Sequence, residues 1–534
     1  MTLLYALFIS SLIGIIALEN YGYGYWEISR PVFAGPLIGL IMGDLHTGLI
    51  VGATIELMFL GVVPVGGSIP PNAQAAGLIG TAMAITSGGN PEIGITLAMP
   101  IGIIAQLFLL LAWNGNIFLV HKADKAISLG KYKKMEFIHL SGLIVFFLQI
   151  AIPAFLAIYF GSGLINNLVE ILPAWVMDGL DAASKILPAV GIAMLIKMMN
   201  SKRFWPFLLL GFTLSAYLSL NTLSVALIGF SIAAAIFLLS NSRNQEIDSF
   251  NFEDTKETAV GVIQKKDLIR TFFRSFFSMT SINYERYQNL GFNFAIFPAL
   301  KKIHKDENLK ESVSRHMEFF NCHPYPTPAI LGMTIAMEEK RGREMEKGGE
   351  ASIKESAVTA TKTAMMGPLA GIGDSVFKAT LMTIFASIGA SLAVDGNWFG
   401  SFVFIIPMIA LNLFTRYFGI MFGYKYGAKF FANLNKSSII DRFVEAASIV
   451  GLSVIGSMIV EFVVFKLDIV KSMGETEINV QDMLDDILPY GVPLIIVLTF
   501  LFVLNKIKRN GIYVILGLSF IIGLAGAYFN IFDL

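Results

Sequence analysis

Between Gly61 and Gln74 an apolar run is interrupted by two glycines in tandem (Gly66, Gly67), two prolines in tandem (Pro70, Pro71) and the polar side chains Ser68, Asn72 and Gln74. Glycine frees the backbone, and proline removes a donor and clashes with the preceding turn, so a helix does not pass through such a stretch intact. Just upstream, Glu56 is the single charge within Ile50–Val63. The surroundings make the interruption informative: the chain is 55% hydrophobic and 15% charged, with a mean hydropathy of +0.67. An ordinary soluble domain carries roughly 25% charged residues. In lipid, non-helical backbone is tolerated only where protein or a water-filled cavity surrounds it. A carboxylate, a hydroxyl and two amides gathered at a break therefore predict a polar site at membrane depth, as in the interrupted helices of transporters. Glu56 lies mid-segment, where no helix end needs a cap, and reads as a binding residue.

The rest of the N-terminal half repeats the theme of short apolar segments, near 3–18, 32–43, 48–63, 75–87, 93–119, 137–160, 181–199 and 205–240. Several fall short of the ~20 residues that span hydrocarbon. Leu3–Leu18 has no basic flank or small-residue cleavage site and reads as a retained membrane segment. Pro31–Val63 is split by Gly43, Asp44 and His46 into two half-length pieces, the pattern of a broken or re-entrant pair. Gly39 with Gly43, and Gly48 with Gly52, have the spacing that lets helices approach closely in lipid. Residues 120–136 form a basic loop (His121, Lys122, Lys125, Lys131, Lys133, Lys134), and positive loops favour the cytoplasm.

At Asn241 the composition turns polar and loses its periodicity until Asp267, which predicts a linker between a membrane domain at 1–240 and a second domain at 268–534. Leu268–Phe277 sets Leu268, Ile269, Phe272, Phe273, Phe276 and Phe277 at helical spacing opposite Arg270 and Arg274, predicting a helix at the membrane interface; packing in a protein core is the alternative. Helical patterns at Asn283–Ile303, Ser312–Asn321, Ala329–Arg341 and Ala351–Met365 predict a soluble helical portion to about residue 365. Membrane segments follow near 379–394, 398–421, 443–465, 487–505 and 511–531. Met366–Asp374 has the ingredients of Gly35–Asp44, namely Gly-Pro-Leu-x-Gly and then Gly-Asp, so a second break is expected there. Asp374 is either a substrate or gating residue or a helix N-cap. The fold class is an all-α polytopic membrane protein, two membrane domains with broken helices and a helical soluble portion in the second.

Other chemistry is missing. No Gly-x-x-x-x-Gly-Lys-Ser/Thr loop and no His-Glu-x-x-His are present, which argues against ATP-driven transport by this chain and against that type of metalloprotease. His316 and His323 are two helical turns apart and lack a third ligand, so neither a metal nor a cofactor is expected. Cys322, the single cysteine, reads as a packing residue. A net charge of zero gives no reason to expect nucleic acid.

Residues in both halves match one known family. In the first half they are Arg30-Pro31, the run Gly43–Glu56 and Pro71-Asn72-Ala73. In the second they are Asn283–Arg286, Leu290–Phe294, Arg315–Asn321, Pro328–Gly332, Met366–Asp374 and Thr415–Gly419. The chain resembles the membrane part of the mannose/fructose/sorbose family of the bacterial phosphoenolpyruvate-dependent sugar phosphotransferase system, with a IIC-like half joined to a IID-like half. The resemblance implies a hexose substrate, an elevator-like transport element, a homotrimer in the bacterial inner membrane, and phosphorylation of the sugar by a separate phosphorylated IIB protein charged by IIA. The chain itself would be a transport subunit and no enzyme, with no IIA or IIB segment within it. Carried over by position, Glu56 and Gly66, Gly67, Ser68, Asn72 and Gln74 match the IIC sugar-binding region, and Asn283 and Gly367–Asp374 match the IID face that completes it. Asn72 stands where mannose-transporting relatives often carry Asp, and Lys378 where many carry Trp, which leaves the hexose open. The competing reading is an ion-coupled secondary transporter using Glu56 and Asp374; an intramembrane enzyme lacks any nucleophile–base pair.

Overall fold

Helix α1 (Leu3–Ala17) leads to the first divided pair, α2 (Pro31–Met42) and α3 (Leu45–Phe59). Gly43 ends α2 in the left-handed region at φ +87°, a conformation that costs glycine nothing. Asp44 caps α3, its Oδ1 accepting from the Thr47 N–H at 3.0 Å and its Oδ2 from the Thr47 hydroxyl at 2.6 Å. The two helices then pack backbone to backbone: a Cβ on Gly35 would stand 2.5 Å from Gly52 Cα, and one on Gly39 2.9 Å from Gly48 Cα. Of the glycine pairs read from the sequence, Gly48 with Gly52 lies in this contact, but Gly39 shares it with Gly35, and Gly43 caps α2 with nothing within 4 Å of a Cβ.

The computed structural model describes residues 2–62, 70–161, 173–199, 202–243, 261–346, 351–436, 438–463, 465–467, 470–473, 476–507 and 511–529. The first half continues with α4 (Ala73–Thr86), α5 (Pro91–Ser128), α6 (Tyr132–Leu156, carried on as a π-helical turn to Gly161), α7 (Ala174–Met199), α8 (Trp205–Leu218) and α9 (Thr222–Arg243). The second half holds α10 (Lys265–Ser275), α11 (Asn289–Ile303), α12 (Asp306–Arg315), α13 (Thr327–Glu346), α14 (Glu355–Val394), α15 (Phe399–Lys436), α16 (Ser438–Phe462), α17 (Val480–Ile487), α18 (Gly491–Lys506) and α19 (Gly511–Tyr528). Among the described residues, α5, α6, α14 and the part of α15 up to Gly427 are long and apolar enough to cross a membrane. The pair α17 and α18, bent by 80° at a short break, meets the same length and hydropathy test only when taken together, as a broken span or a re-entrant loop. A chain with these helices is a multi-pass membrane protein.

The largest hydrophobic core crosses between the halves, with Ile55, Phe59 and Val190 beside Ile384, Phe404 and Ile455. A second core gathers the end of α5 and the start of α6 with α10–α13.

Four local expectations change. Met366–Asp374 does not break the helix: α14 runs through it and widens into a π-helical stretch at Gly373–Met382. Asp374 therefore caps no helix, and the N-cap alternative falls. The helix expected at Ser312–Asn321 lies at α12 instead, where Asp306 and Glu307 suit a helix N-terminus. The predicted interfacial helix turns its apolar face to protein: Leu268, Phe272 and Phe276 are buried in the second core, while Phe273 is 60% exposed. Arg274, expected on the polar face, sits 3.6 Å above the Phe294 ring and pairs with Glu136 at 2.5 Å. Periodicity reveals an apolar face without telling what covers it. Last, a short antiparallel pair, Val470–Met473 with Thr476–Asn479, is an exception to the otherwise helical secondary structure.

Candidate functional site

Where the two halves meet there is a cavity of about 190 Å³. That is smaller than the ~300 Å³ at which pockets for drug-sized ligands begin. Its first-half wall is built by the segment between α1 and α2, which supplies Asn20, Tyr21, Tyr25 and Arg30. Buried Glu19 shapes this segment. Its carboxylate accepts from the backbone N–H groups of Trp26 (2.6 Å), Glu27 (3.1 Å) and Ser29 (3.2 Å) and from the Ser29 hydroxyl (2.5 Å). Tyr25 and Glu27 are held at φ +60° and +65°, left-handed conformations that are rare for side-chain-bearing residues and cluster at functional sites.

Glu56 is fully buried on α3 and binds the guanidinium of Arg30; its other oxygen accepts from the Val32 N–H at 3.3 Å. The Arg30 side chain lines the cavity and that of Glu56 does not. The sequence-singled acid is thus one layer behind the wall, fixing the cation that faces the space. Asn72 lines the cavity but also caps α4, its Oδ1 accepting from the Ala75 N–H at 3.0 Å. Half-buried Gln74 lines it beside Asn72. Gly66, Gly67 and Ser68 lie outside the described residues.

The opposite wall belongs to the second half. On α14, Asp374 and Lys378 face the cavity four residues apart within the π-helical stretch, a feature often found at functional sites. The Lys378 ammonium donates to the Tyr25 hydroxyl and lies 5.0 Å from the centre of that ring, tying the two walls together. The close approach needs Gly373, where a Cβ would come within 2.1 Å of the His323 Cβ. His323 itself lines the space with Asn321 and Cys322, in the non-helical stretch after α12. Asn283 is fully buried and does not line the cavity. It folds the turn that does: its Oδ1 accepts from the Arg286 N–H at 2.8 Å and its amide donates to the Tyr287 carbonyl at 3.0 Å, placing Tyr287 and Gln288 at the wall.

Trp113 on α5 completes an aromatic side with Tyr21 and Tyr287, and its buried indole N–H has no hydrogen-bond partner among the described residues. A buried donor left open is a group waiting for a ligand or a water. Trp113, Tyr25, Gln288 and His323 were missed as site residues in the sequence. Trp113 lies in an apolar run and Tyr25 in an aromatic turn, where nothing local marks them. His316 is drawn away from His323 to Glu338, at 3.1 Å, which also binds His304 (2.7 Å) and Arg315 (3.1 Å). No group of three metal-ligating side chains exists among the described residues. The cavity offers amides, phenols, an indole N–H, one carboxylate and two cations, a set that gives and receives hydrogen bonds in several directions.

Two family models match the chain. Residues 3–235 match the sorbose-specific IIC component of the phosphotransferase system, and residues 262–532 match the IID component of its mannose/fructose/sorbose family. The mannose-specific EIID component of Escherichia coli K12 is 34% identical over 282 residues, covering 51% of this chain and 96% of that one. The mannose-specific EIIC component of the same strain is 32% identical over 221 residues, covering 41% and 83%. A solved chain from a complex of the mannose transporter ManYZ with microcin E492 is 34% identical with a TM-score of 0.30, covering 51% of this chain and 99% of that one.

Proposed function

We infer the function from the premise that this chain belongs to the mannose/fructose/sorbose family of the sugar phosphotransferase system and joins a IIC and a IID component in one polypeptide. Such components are transport subunits, and the phosphorylation is done by partner IIA and IIB proteins. The chain binds one hexose in the cavity between the halves and moves it across the bacterial inner membrane to phosphorylated IIB. The observation that carries this reading is the cavity itself: a space of about 190 Å³ between the halves, lined by Asp374 and Lys378 from one half and by Asn72 and Gln74 from the other. Sugar hydroxyls are donors and acceptors at once, and amides and carboxylates answer both roles.

In this reading Asp374 and Asn72 bind hydroxyls, Trp113 donates from its free indole N–H, and Glu56 acts through Arg30. Asn283 acts at one remove, by holding Tyr287 and Gln288 in place. Gly66, Gly67 and Ser68, which lie outside the described residues, are assigned to sugar binding from their position in the sequence alone. Transport is elevator-like: the half-length helices α2–α4 and the π-helical stretch of α14 move together with the sugar. The working unit is a homotrimer, and native mass spectrometry giving a single copy would overturn that part.

The decisive experiment is uptake of radiolabelled hexose by membrane vesicles, with and without phosphorylated IIB, with the internal label chromatographed. Labelled sugar phosphate that accumulates only with phosphorylated IIB is the expected result. Unmodified sugar driven in by an ion gradient would sink it in favour of secondary transport.

A further inference from the structure

A second concavity, about 460 Å³, opens beside the cavity and is lined by Asp124, Arg286, Met317, Glu318 and Phe319 among others. Chain continuity joins the two spaces. Arg286 in the groove is followed by Tyr287 and Gln288 in the cavity wall, and Met317–Phe319 by Asn321–His323. The groove's rim includes the end of α5 (Asp124, Ile127, Ser128), and Lys122 and Lys125 on that helix, Lys131 in the turn after it and Lys133 and Lys134 at the start of α6 are all exposed. The acids of that turn are already engaged: Asp124 pairs with Arg286 at 3.0 Å and Glu136 with Arg274 at 2.5 Å. None of the five lysines has an ion-pair partner among the described residues. Two apolar side chains stand exposed within this polar rim, Leu129 at 58% and Phe319 at 45%. Five uncompensated cations, exposed apolar anchors and a groove are the parts of a docking face for an anionic protein. Glu318 is the acid of the groove outside any ion pair among the described residues, and it weakens the field without reversing it.

We propose that this face receives the phosphoryl-carrying partner, whose phosphorylated segment enters the groove and so reaches the sugar cavity next to it. The proposal rests on the transport reading above and adds its geometry. A phosphoryl donor has to come within bonding distance of a bound sugar, so its docking face must adjoin the cavity. This groove does so, and on the side that the basic turn assigns to the cytoplasm. The same lysines would also attract anionic lipid headgroups, and that source is separated by the test.

The test uses the full chain in phosphatidylcholine nanodiscs, with Lys131→Glu, Lys133→Glu and Lys134→Glu combined. Affinity for phosphorylated IIB should fall at least tenfold, and wild-type binding should weaken as salt rises. Hexose affinity should stay unchanged, which shows that the variant is folded. Should it not, Lys122→Glu with Lys125→Glu on the other arm of the turn makes the same comparison. Unchanged affinity for IIB overturns the proposal. So does a variant that keeps IIB but loses binding to phosphatidylserine vesicles, which makes the turn a lipid contact. A wild-type chain that binds hexose and ignores phosphorylated IIB sinks the transport reading, and this proposal with it.

Discussion

Residues 35–44 and 367–374 are built from the same parts, Gly-Pro-Leu-x-Gly followed by Gly-Asp, yet one breaks its helix and the other does not. In the first, Gly43 turns left-handed and Asp44 caps the next helix through Thr47. In the second, the backbone stays helical, loosens into a π-helical stretch, and leaves Asp374 at the cavity. Both stretches hold a proline inside a helix, Pro36 and Pro368, so proline does not decide between them. The difference is the donor: Asp44 accepts from the hydroxyl of a threonine three residues on, whereas Phe377, with no side-chain donor, follows Asp374 at that distance. An acid that finds a local partner ends a helix, and one that does not is left free for a ligand.

The largest effect should come from the buried acid behind the first stretch, Glu56, which is paired where, among the described residues, Asp374 is not. Glu56→Gln leaves the Arg30 guanidinium buried without a counter-charge, which costs about 3–5 kcal/mol. Thermal unfolding of the solubilised protein should show the loss, together with weaker hexose binding. An unchanged midpoint would mean that the Arg30–Glu56 pair is not holding the first break together. Gly373→Ala puts a methyl group against His323 and should cost about 1–3 kcal/mol by the same measurement, because the second stretch is packed where it touches the wall. Asp374→Asn should leave the midpoint alone and weaken hexose binding about tenfold, or ~1.4 kcal/mol, in equilibrium dialysis. If it lowers the midpoint instead, the two acids are of one kind and the contrast is lost. Asp44→Ala removes the cap of α3 and should cost about 1 kcal/mol.

A control comes from outside both stretches, the cluster around Glu338. Burial keeps His316 neutral and below its ordinary value of 6.5, against the pull of Glu338. A depressed histidine stabilises the fold above 6.5, and that contribution shrinks as pH falls through the window beneath it. Burial alone would raise the Glu338 carboxyl, but hydrogen bonds from His304 and His316 hold it well below the ordinary 4.5, so its own contribution is lost only under 4.5. Acidification from pH 6.5 to 5 should therefore remove, through His316 alone, at most about 1.4 kcal/mol of unfolding free energy per unit. His316→Asn should flatten that slope.

The first break was legible because everything that makes it is local: a left-handed glycine, an aspartate cap and glycines at close spacing sit within Gly35–Gly52. The membrane class was equally plain from hydropathy. Glu56 was singled out as a binding residue, but its partner Arg30 lies 26 residues away across a helix break, and no periodicity links them. Half of the cavity wall is of this kind. Tyr25 meets Lys378 from 353 residues away, and Trp113 reaches Tyr287 only after the halves have folded together. The π-helical stretch was hidden too, since glycine and proline announce a disturbance without choosing between a stop and a widening.

The seam between α2 and α3 bears on how the protein can work. Gly35, Gly39, Gly48 and Gly52 bring main chain against main chain, with no side chain in between to compress or change rotamer. Such a hairpin has no internal slack, so α2 and α3 form one stiff unit. Both ends of the pair are anchored as well: Ser29 is bonded to Glu19, Arg30 to Glu56, and Gly61 packs against the Gly191 carbonyl.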